Sequence, residues 1–170
     1  MVTGSAPAST STCTGTSVAH SEPPSGAPDG TGGGGGPVNK FKITLRMSGD
    51  KLDPDQISRL LVCAPTRAET KGESIIISDR VRIARTGRWS VSLHSTECAD
   101  GTDVEEGIKL LLLRFPADLK LWEELTTDFK ADVFCGIFLD GPNRGFAISA
   151  ATSRLLADRN LEIGFDIYGD

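Results

Sequence analysis

Histidine, tyrosine and paired cysteines are scarce in this sequence, which argues against several kinds of site. The 170 residues include two histidines, one tyrosine and four cysteines, and no two cysteines are spaced as Cys-x-x-Cys. A zinc site needs three or four converging ligands, and a serine or cysteine triad needs a histidine. Beyond residue 37 only His94 is available. We therefore expect no metal site, no cofactor and no catalytic residue.

Long apolar runs and an excess of positive charge are also missing. No stretch of about 20 apolar residues is present to cross a bilayer, and the N-terminal residues lack the basic and apolar segments of a secretory signal. The formal net charge is −5, which disfavours general binding to nucleic acids because cations bind their phosphates. These features predict a cytoplasmic protein that binds neither membranes nor nucleic acids, and they leave its oligomeric state open.

Residues 1–37 are predicted to form a disordered tail. They consist almost only of Ser, Thr, Gly, Ala and Pro, with consecutive glycines from Gly32 to Gly36. Such a composition buries too little apolar area to offset the conformational entropy that folding removes. The segment is interpreted either as a linker or as the product of a start codon assigned too early. Residues 38–170 are predicted to be a single domain.

The domain begins with signals for a strand and a capped helix. Phe41, Ile43 and Leu45 alternate with polar residues, as in a strand with one side facing solvent. Asp53 then precedes Pro54, which is the usual order of an N-cap residue and a proline in the first helical position. The buried stripe of this helix is predicted to be Ile57, Leu60 and Leu61.

A β-hairpin is predicted next, because two apolar alternations flank a turn signal. A three-residue loop over 85–87 would pair Ile83 with Trp89 and Val81 with Val91, so that apolar side chains share one face of the sheet. The same loop would place its glycine, Gly87, where a left-handed residue is needed.

The second half of the domain is predicted to contain two helices, a strand, a further helix and a last strand. Thr102 and Glu105 have the spacing of a capping box and begin the longest helix, which Pro116 breaks in two. Apolar residues of both parities over 133–139 predict a central strand covered on both faces. Ser149 is the predicted N-cap of the last helix.

These elements predict an α+β fold, with about five strands in a mixed or antiparallel sheet and three to four helices packed on it. Trp89, Trp122, Cys63 and Cys135 occupy apolar patterns and are predicted to be core residues. That assignment leaves no aromatic surface for stacking on nucleic-acid bases. The order of the strands does not follow from the sequence.

Segments spread over the whole domain resemble one known family. They are residues 52–61, Ala64-Pro65-Thr66, Lys71-Gly72-Glu73, Trp89, residues 104–115, residues 145–156 and Asp166-Ile167-Tyr168. Together they resemble the bacterial family called domain of unknown function 4279, over about residues 40–168. Members usually carry Leu-Gly after the first helix, where this chain has Leu61-Val62. The resemblance implies the fold, and it implies no activity.

The sharpest polar feature is a group of arginines on the predicted hairpin. In the predicted register Arg80 and Arg82 share the solvent-facing side, with Arg88 beside them and His94 on the same parity. Because arginine forks suit carboxylates and phosphates, these four residues are candidates for binding an anion or a partner. The alternative is a solvated strand face whose charges discourage edge-to-edge aggregation.

The sequence therefore favours a non-catalytic protein-interaction module, including the inhibitor or immunity type, with a protein partner that it does not identify. The alternative is an enzyme or a domain for a small anionic ligand, using the arginine hairpin with His94 as the titratable group. The two classes differ in shape. An interaction module presents a broad surface, whereas an enzyme gathers His94, the arginines and a carboxylate in a deep cleft.

Overall fold

Two β-sheets and four α-helices form the part of the chain described by the computed structural model, which comprises residues 38, 40–77, 80–141 and 144–169. The strands are β1 (Phe41–Gly49), β2 (Arg67–Glu69), β3 (Ser74–Ile77), β4 (Arg80–Ile83), β5 (Gly87–His94), β6 (Lys130–Phe138) and β7 (Glu162–Tyr168). The helices are α1 (Pro54–Leu60), α2 (Val104–Leu112), α3 (Leu119–Asp128) and α4 (Ala150–Ala157). None of these helices has the length and apolar character needed to cross a membrane. The predicted tail over 1–37 lies outside the described residues.

Five strands form one sheet in the order β2-β5-β1-β6-β7, and β3 pairs with β4 in a separate ribbon. Neighbouring strands run antiparallel except β6 and β7, which are parallel. The parallel pair requires a crossover connection, and α4 supplies it. The predicted α+β fold with a mixed sheet of about five strands is confirmed, and β1 lies at its centre.

The helices cover one face of this sheet, and alternate strand residues are buried beneath them. The four core-facing residues of β1 are at most 2 % exposed, namely Phe41, Ile43, Leu45 and Met47. The rings of Trp89 and Trp122 are fully buried, and each packs edge-on against Phe115 with centroids 6.2 Å apart. Complete burial of one large apolar side chain contributes about 1.5–3 kcal/mol. The core positions predicted for both tryptophans and for Cys135 are confirmed, while Cys63 is only partly buried.

Two of the three predicted helix starts are confirmed, and one is wrong in detail. Asp53 caps α1 by accepting a bond from the Asp55 amide, and Ser149 caps α4. For α2 the N-cap is Asp103, whose carboxylate accepts a 2.9 Å bond from the Glu106 amide. The capping box expected from Thr102 therefore does not form. The predicted break at Pro116 is confirmed, because α2 ends before it and α3 begins after it.

Glu105, which does not form the predicted capping box, links α2 to α4. Its Oε1 accepts bonds of 2.5 Å from the hydroxyls of Ser149 and Thr152 and a 3.2 Å bond from the Ser149 amide. The Ser149 hydroxyl first and the Thr152 hydroxyl second stabilise the ionised carboxylate, which lowers the pKa of Glu105 to about 2. The N-terminus of α4 is thus held by a charged acceptor on another helix.

The end of α1 contains a residue in the left-handed region. Val62 has a φ of 52°, and the next amide, of Cys63, donates a 3.1 Å bond to the Ser58 carbonyl. This is the Schellman arrangement, in which glycine is favoured because it has no Cβ. Val62 stands where family members usually have glycine, and its left-handed backbone is strained because it carries a Cβ.

The predicted register of the hairpin is wrong. Ile83 pairs with Ser74 rather than Trp89, while Trp89 pairs with Met47 and Ala68. The β2–β5 pairs and the β3–β4 pairs continue a single antiparallel register, because the two residue numbers of every pair have the same sum. The four strands therefore form one long hairpin with an interruption along its length. Gly87 does not take the left-handed conformation predicted for it. It is buried, and a Cβ there would lie 2.5 Å from the Leu52 carbonyl oxygen.

Burial also differs from expectation at two other places. The second face of β6 is not covered, since Phe138 is 38 % exposed. In α1 Leu60 is 39 % exposed, while Ile57 and Leu61 are buried as predicted. The outer face of the β3–β4 ribbon is the most exposed apolar surface among the strands, with Ile76 at 76 % and Val81 at 69 %.

Substituting Val62→Gly should raise the free energy of unfolding by about 0.5–1 kcal/mol, because glycine removes the left-handed strain and Val62 buries little surface. Chemical denaturation of the two proteins measures the difference. Val62→Ala is the control, since it shortens the side chain but keeps the Cβ. Equal stability of all three proteins would contradict the assignment of strain.

Glu105→Gln should lower the melting temperature at pH 7 and weaken its dependence on acid. Folding lowers the pKa of Glu105 from its ordinary value near 4.5 to about 2. The contribution of this carboxylate to the free energy of unfolding is therefore complete above pH 4.5 and is lost as the pH falls towards 2. Thermal unfolding between pH 2 and 7 measures both effects. Glu106→Gln is the matched control, because both carboxylates pair with Lys109 but only Glu105 bonds to α4. An equal effect of the two substitutions would contradict the link.

Candidate functional site

The open face of the sheet, opposite the helices, carries the polar strand residues. On the three inner strands the residues of this face are Lys42, Thr44, Arg46 and Ser48 of β1, Arg88, Ser90, Ser92 and His94 of β5, and Lys130, Asp132, Phe134, Gly136 and Phe138 of β6, of which only the last three are not polar. They alternate with buried residues, and pairing places them side by side across neighbouring strands. The open face is therefore an ordered grid of side chains.

At one end of this face, four cations surround a cavity of about 340 Å³, which we call the basic pocket. Its lining residues are Arg46, Met47, Ser48, Arg67, Arg88, Trp89, Ser90, Lys130 and Asp132. Asp132 is the single carboxylate among them. A concavity with four positive charges and one negative charge attracts anionic groups.

Two rows of the grid form the floor of the basic pocket. In the first row Ser48 lies between Arg88 on β5 and Lys130 on β6. In the second row Ser90 lies between Arg67 on β2 and Arg46 on β1. Each row thus places one hydroxyl between two cations, and the strand registers produce this arrangement directly.

Arg46 is held by the pocket's own carboxylate. Its Nε and one terminal nitrogen each donate a 2.7 Å bond to Asp132, and its guanidinium lies 4.3 Å from the centre of the Phe134 ring. The hydrogen bond to Asp132 raises the pKa of Arg46. Bidentate pairing and contact with the ring both restrict the orientation of this arginine.

Glu69 is a buried carboxylate between two arginines beside the basic pocket. The residue is 3 % exposed, and its Oε1 accepts a 2.8 Å bond from Arg67 and a 2.9 Å bond from Arg82. Burial alone would raise the pKa of Glu69, but the hydrogen bonds and charges of Arg82 and Arg67 outweigh it and lower the pKa. The other oxygen, Oε2, is buried without a hydrogen-bond partner in the described structure.

The contact between Arg82 and Glu69 also shows that the ribbon is bent. Arg82 lies beside its strand partner Ile75, which is six residues from Glu69. In a straight strand that separation would be about 20 Å. The chain instead turns at 70–73, where the Glu73 amide bonds to the Thr70 carbonyl and Gly72 has a φ of +86°. The bend brings Arg82 onto Glu69.

The predicted site residues are separated by the fold. Arg88 lies in the basic pocket, and Arg82 is joined to it indirectly through Glu69. Arg80 lies on the exposed ribbon, paired with Ile77. His94 is six residues from Arg88 along β5, or about 20 Å. The expected grouping of Arg80 and Arg82 with Arg88 and His94 through a β4–β5 hairpin is wrong, because β4 pairs with β3 rather than with β5.

The surroundings of His94 contain no second chemical group arranged for catalysis among the residues described. The nearest candidate is Cys98, whose thiol donates a 3.5 Å bond to the His94 carbonyl rather than to its ring. Burial, and secondly the charge of Glu97, raise the pKa of Cys98, which disfavours the thiolate. No cluster of three metal-binding side chains occurs in the described parts of the chain.

The helix side of the domain has the opposite charge. A wider groove of about 790 Å³ between α1 and α3 is lined by three carboxylates, with Lys51 as the one cation among its lining residues. The carboxylates are Asp50, Glu124 and Asp128. The two concavities therefore carry opposite charge, the basic pocket on the open face and the acidic groove on the helix side.

A family comparison accounts for the fold. The profile described as Domain of unknown function (DUF4279) matches residues 39–170. The chain belongs to this family. No curated protein and no solved structure matches the sequence of this DUF4279 domain. The resemblance seen in the capping and core segments is confirmed, and the family description assigns no activity to the basic pocket.

Most residues of the basic pocket were missed by the sequence analysis. Arg46 and Lys130 alternate with buried residues on their strands, so their exposure to solvent could be predicted. Arg67 and Glu69 lie on a strand of three residues that shows no alternation long enough to detect. Their proximity depends on the strand order, which the sequence does not contain.

Glu69→Gln should lower the free energy of unfolding by about 1–3 kcal/mol, because two arginines lose a charged acceptor. It should also speed hydrogen exchange of the Gly72 and Ala84 amides, which bond across the ribbon. Folding lowers the pKa of Glu69. The contribution of Glu69 to the free energy of unfolding is therefore complete at a pH above the ordinary pKa of a glutamate and is lost as the pH falls below that pKa.

Asp50→Asn is the control for this experiment, since it removes an ion pair to Lys71 in which both side chains are largely exposed. Little change in stability or exchange is expected from it. Slow exchange in Glu69→Gln, equal to that of the unsubstituted protein, would contradict the role of Glu69 in holding the ribbon.

Proposed function

We propose that this DUF4279 domain is a non-catalytic protein-interaction module that binds an acidic surface of a partner protein through its open face. The observation that carries the proposal is the basic pocket, in which four cations surround one carboxylate. This concentration of positive charge occurs in a chain whose net charge is −5.

The form of the open face supports binding to a protein. No helix in the described residues packs on this face, and the residues of its rows are presented on adjacent rigid strands. Arginine is well suited to such a surface, because its planar fork binds carboxylates at two points. Complementary charge across an interface speeds association and excludes partners of the wrong sign.

The charges outside the basic pocket favour a compact acidic patch over a long polyanion. Glu162 and Asp166 of β7 lie on the same face as Asp132 of β6, and Glu162 pairs directly with Asp132. An extended phosphate backbone crossing the sheet would meet these carboxylates and be repelled. A local acidic patch on a protein needs only the basic end.

A second candidate function is binding of a small anionic molecule, which is favoured by the volume of the basic pocket. About 340 Å³ falls within the range of small-molecule sites, which is roughly 300–1,000 Å³. An enzyme built on the arginines and His94 has less support, because about 20 Å separates His94 from Arg88.

The test is capture of partners from native lysate with the full chain, followed by reconstitution with the purified partner. Arg88→Glu combined with Lys130→Glu should weaken the reconstituted complex by about a hundredfold or more, since two charged contacts become repulsive. Isothermal titration measures the affinity, which should also fall as ionic strength rises.

Arg59→Glu combined with Lys120→Glu is the matched control, because it reverses the same number of charges on exposed residues of α1 and α3. This control should keep the affinity of the unsubstituted chain. Capture of a partner that survives reversal of Arg88 and Lys130, or that is lost equally in the control, would contradict the proposal. Arg82→Glu is unsuitable, because it would place a carboxylate against Glu69.

A further inference from the structure

The first row of the basic pocket has donors on three neighbouring strands. Ser48 pairs with Arg88 on one side and with Lys130 on the other, and all three side chains lie on the open face. Two strand spacings separate the backbones of the two cations, which is about 10 Å. A small anion above Ser48 is therefore within reach of a cation from each side.

These donors are not engaged by other described groups. Arg88 and Lys130 form no ion pair with the described residues, whereas Arg46 is bonded to Asp132 and Arg67 to Glu69. Thr44 and Ser92, one row further along, share a 3.0 Å hydrogen bond. The hydroxyls of Ser48 and Ser90 have no such partner in the described part of the domain.

The number and direction of these donors match a phosphoryl group better than a carboxylate. A carboxylate has two oxygens in one plane and is satisfied by one bidentate arginine. A phosphoryl group has three terminal oxygens and up to two negative charges, so it uses donors that approach from several sides. Arg88, Ser48 and Lys130 approach from three different strands.

We propose that the row Arg88–Ser48–Lys130 is a binding site for the phosphoryl group of a phosphate monoester. This proposal rests on the proposed function, in which the same basic pocket binds the partner. It adds the chemical identity of the anionic group that the pocket binds. The cavity of about 340 Å³ leaves room for the group that carries the phosphate. That carrier is a phosphorylated side chain of the partner protein or a small phosphorylated molecule, and both present the same ester.

The experiment follows amide resonances of the full chain, labelled with ¹⁵N, during titration with three probes. They are a glycine-flanked phosphoserine pentapeptide, the same peptide with glutamate in place of phosphoserine, and glucose 6-phosphate. The phosphoserine peptide should shift the Ser48, Arg88 and Lys130 amides and bind at least tenfold more tightly than the glutamate peptide. Arg88→Gln and Lys130→Gln should each weaken its binding about tenfold, while Arg59→Gln should not.

The pH dependence gives a second criterion. The second pKa of a phosphate monoester is about 6, so the dianion becomes a monoanion between pH 7 and pH 5, while glutamate stays ionised. The charged groups facing the site are Arg46, Arg67, Glu69, Arg88, Lys130 and Asp132, and they include no histidine. Affinity for the phosphoserine peptide should therefore fall several-fold over this range, with no fall for the glutamate peptide.

The outcomes separate this inference from the proposed function. Tighter binding of glucose 6-phosphate than of the phosphoserine peptide would support the phosphoryl site and count against a protein partner. Equal binding of the two peptides would overturn the phosphoryl site and leave the acidic-partner proposal in place. Shifts that are absent from the three amides, or that are unchanged in Arg88→Gln and Lys130→Gln, would also overturn the site.

Discussion

Helices cover only one face of the five-stranded sheet, and this asymmetry determines which residues of that sheet are buried and which face solvent. Side chains alternate along a strand, so burying Leu45 and Met47 places Arg46 and Ser48 on the opposite, open face. The same rule applies to β5 and β6 on either side of β1. The cations of the basic pocket are thus a consequence of the pattern that builds the core.

Glu69 couples the basic pocket to the β3–β4 ribbon. Its carboxylate is buried, yet it remains ionised because Arg67 and Arg82 supply opposite charge from two sides. One of these arginines lines the pocket, and the other belongs to the ribbon.

Local signals predicted the elements well where a single residue carries the physical effect. Asp53 and Ser149 cap their helices because a short side chain can accept from an amide two or three residues ahead. The hairpin register failed for a different reason. Placing Ile83 opposite Trp89 satisfied the apolar alternation, but β1 and β2 occupy both edges of that part of β5. Strand pairing is long-range, and alternation alone does not choose between partners.

The sequence by itself determined the α+β class, the family, the caps of α1 and α4, the break at Pro116 and most of the core. The caps, the break and the core depend on residues within a few positions of one another or on alternation along one element, and the family resemblance combines several such short segments. Only the tertiary structure decided the strand order, the bend of the ribbon and the meeting of Arg46, Arg67, Arg88 and Lys130. Those features join residues far apart in the sequence, such as Arg46 and Lys130, which are 84 positions apart and line one pocket. Backbone hydrogen bonds between strands are indifferent to the side chains that they bring together.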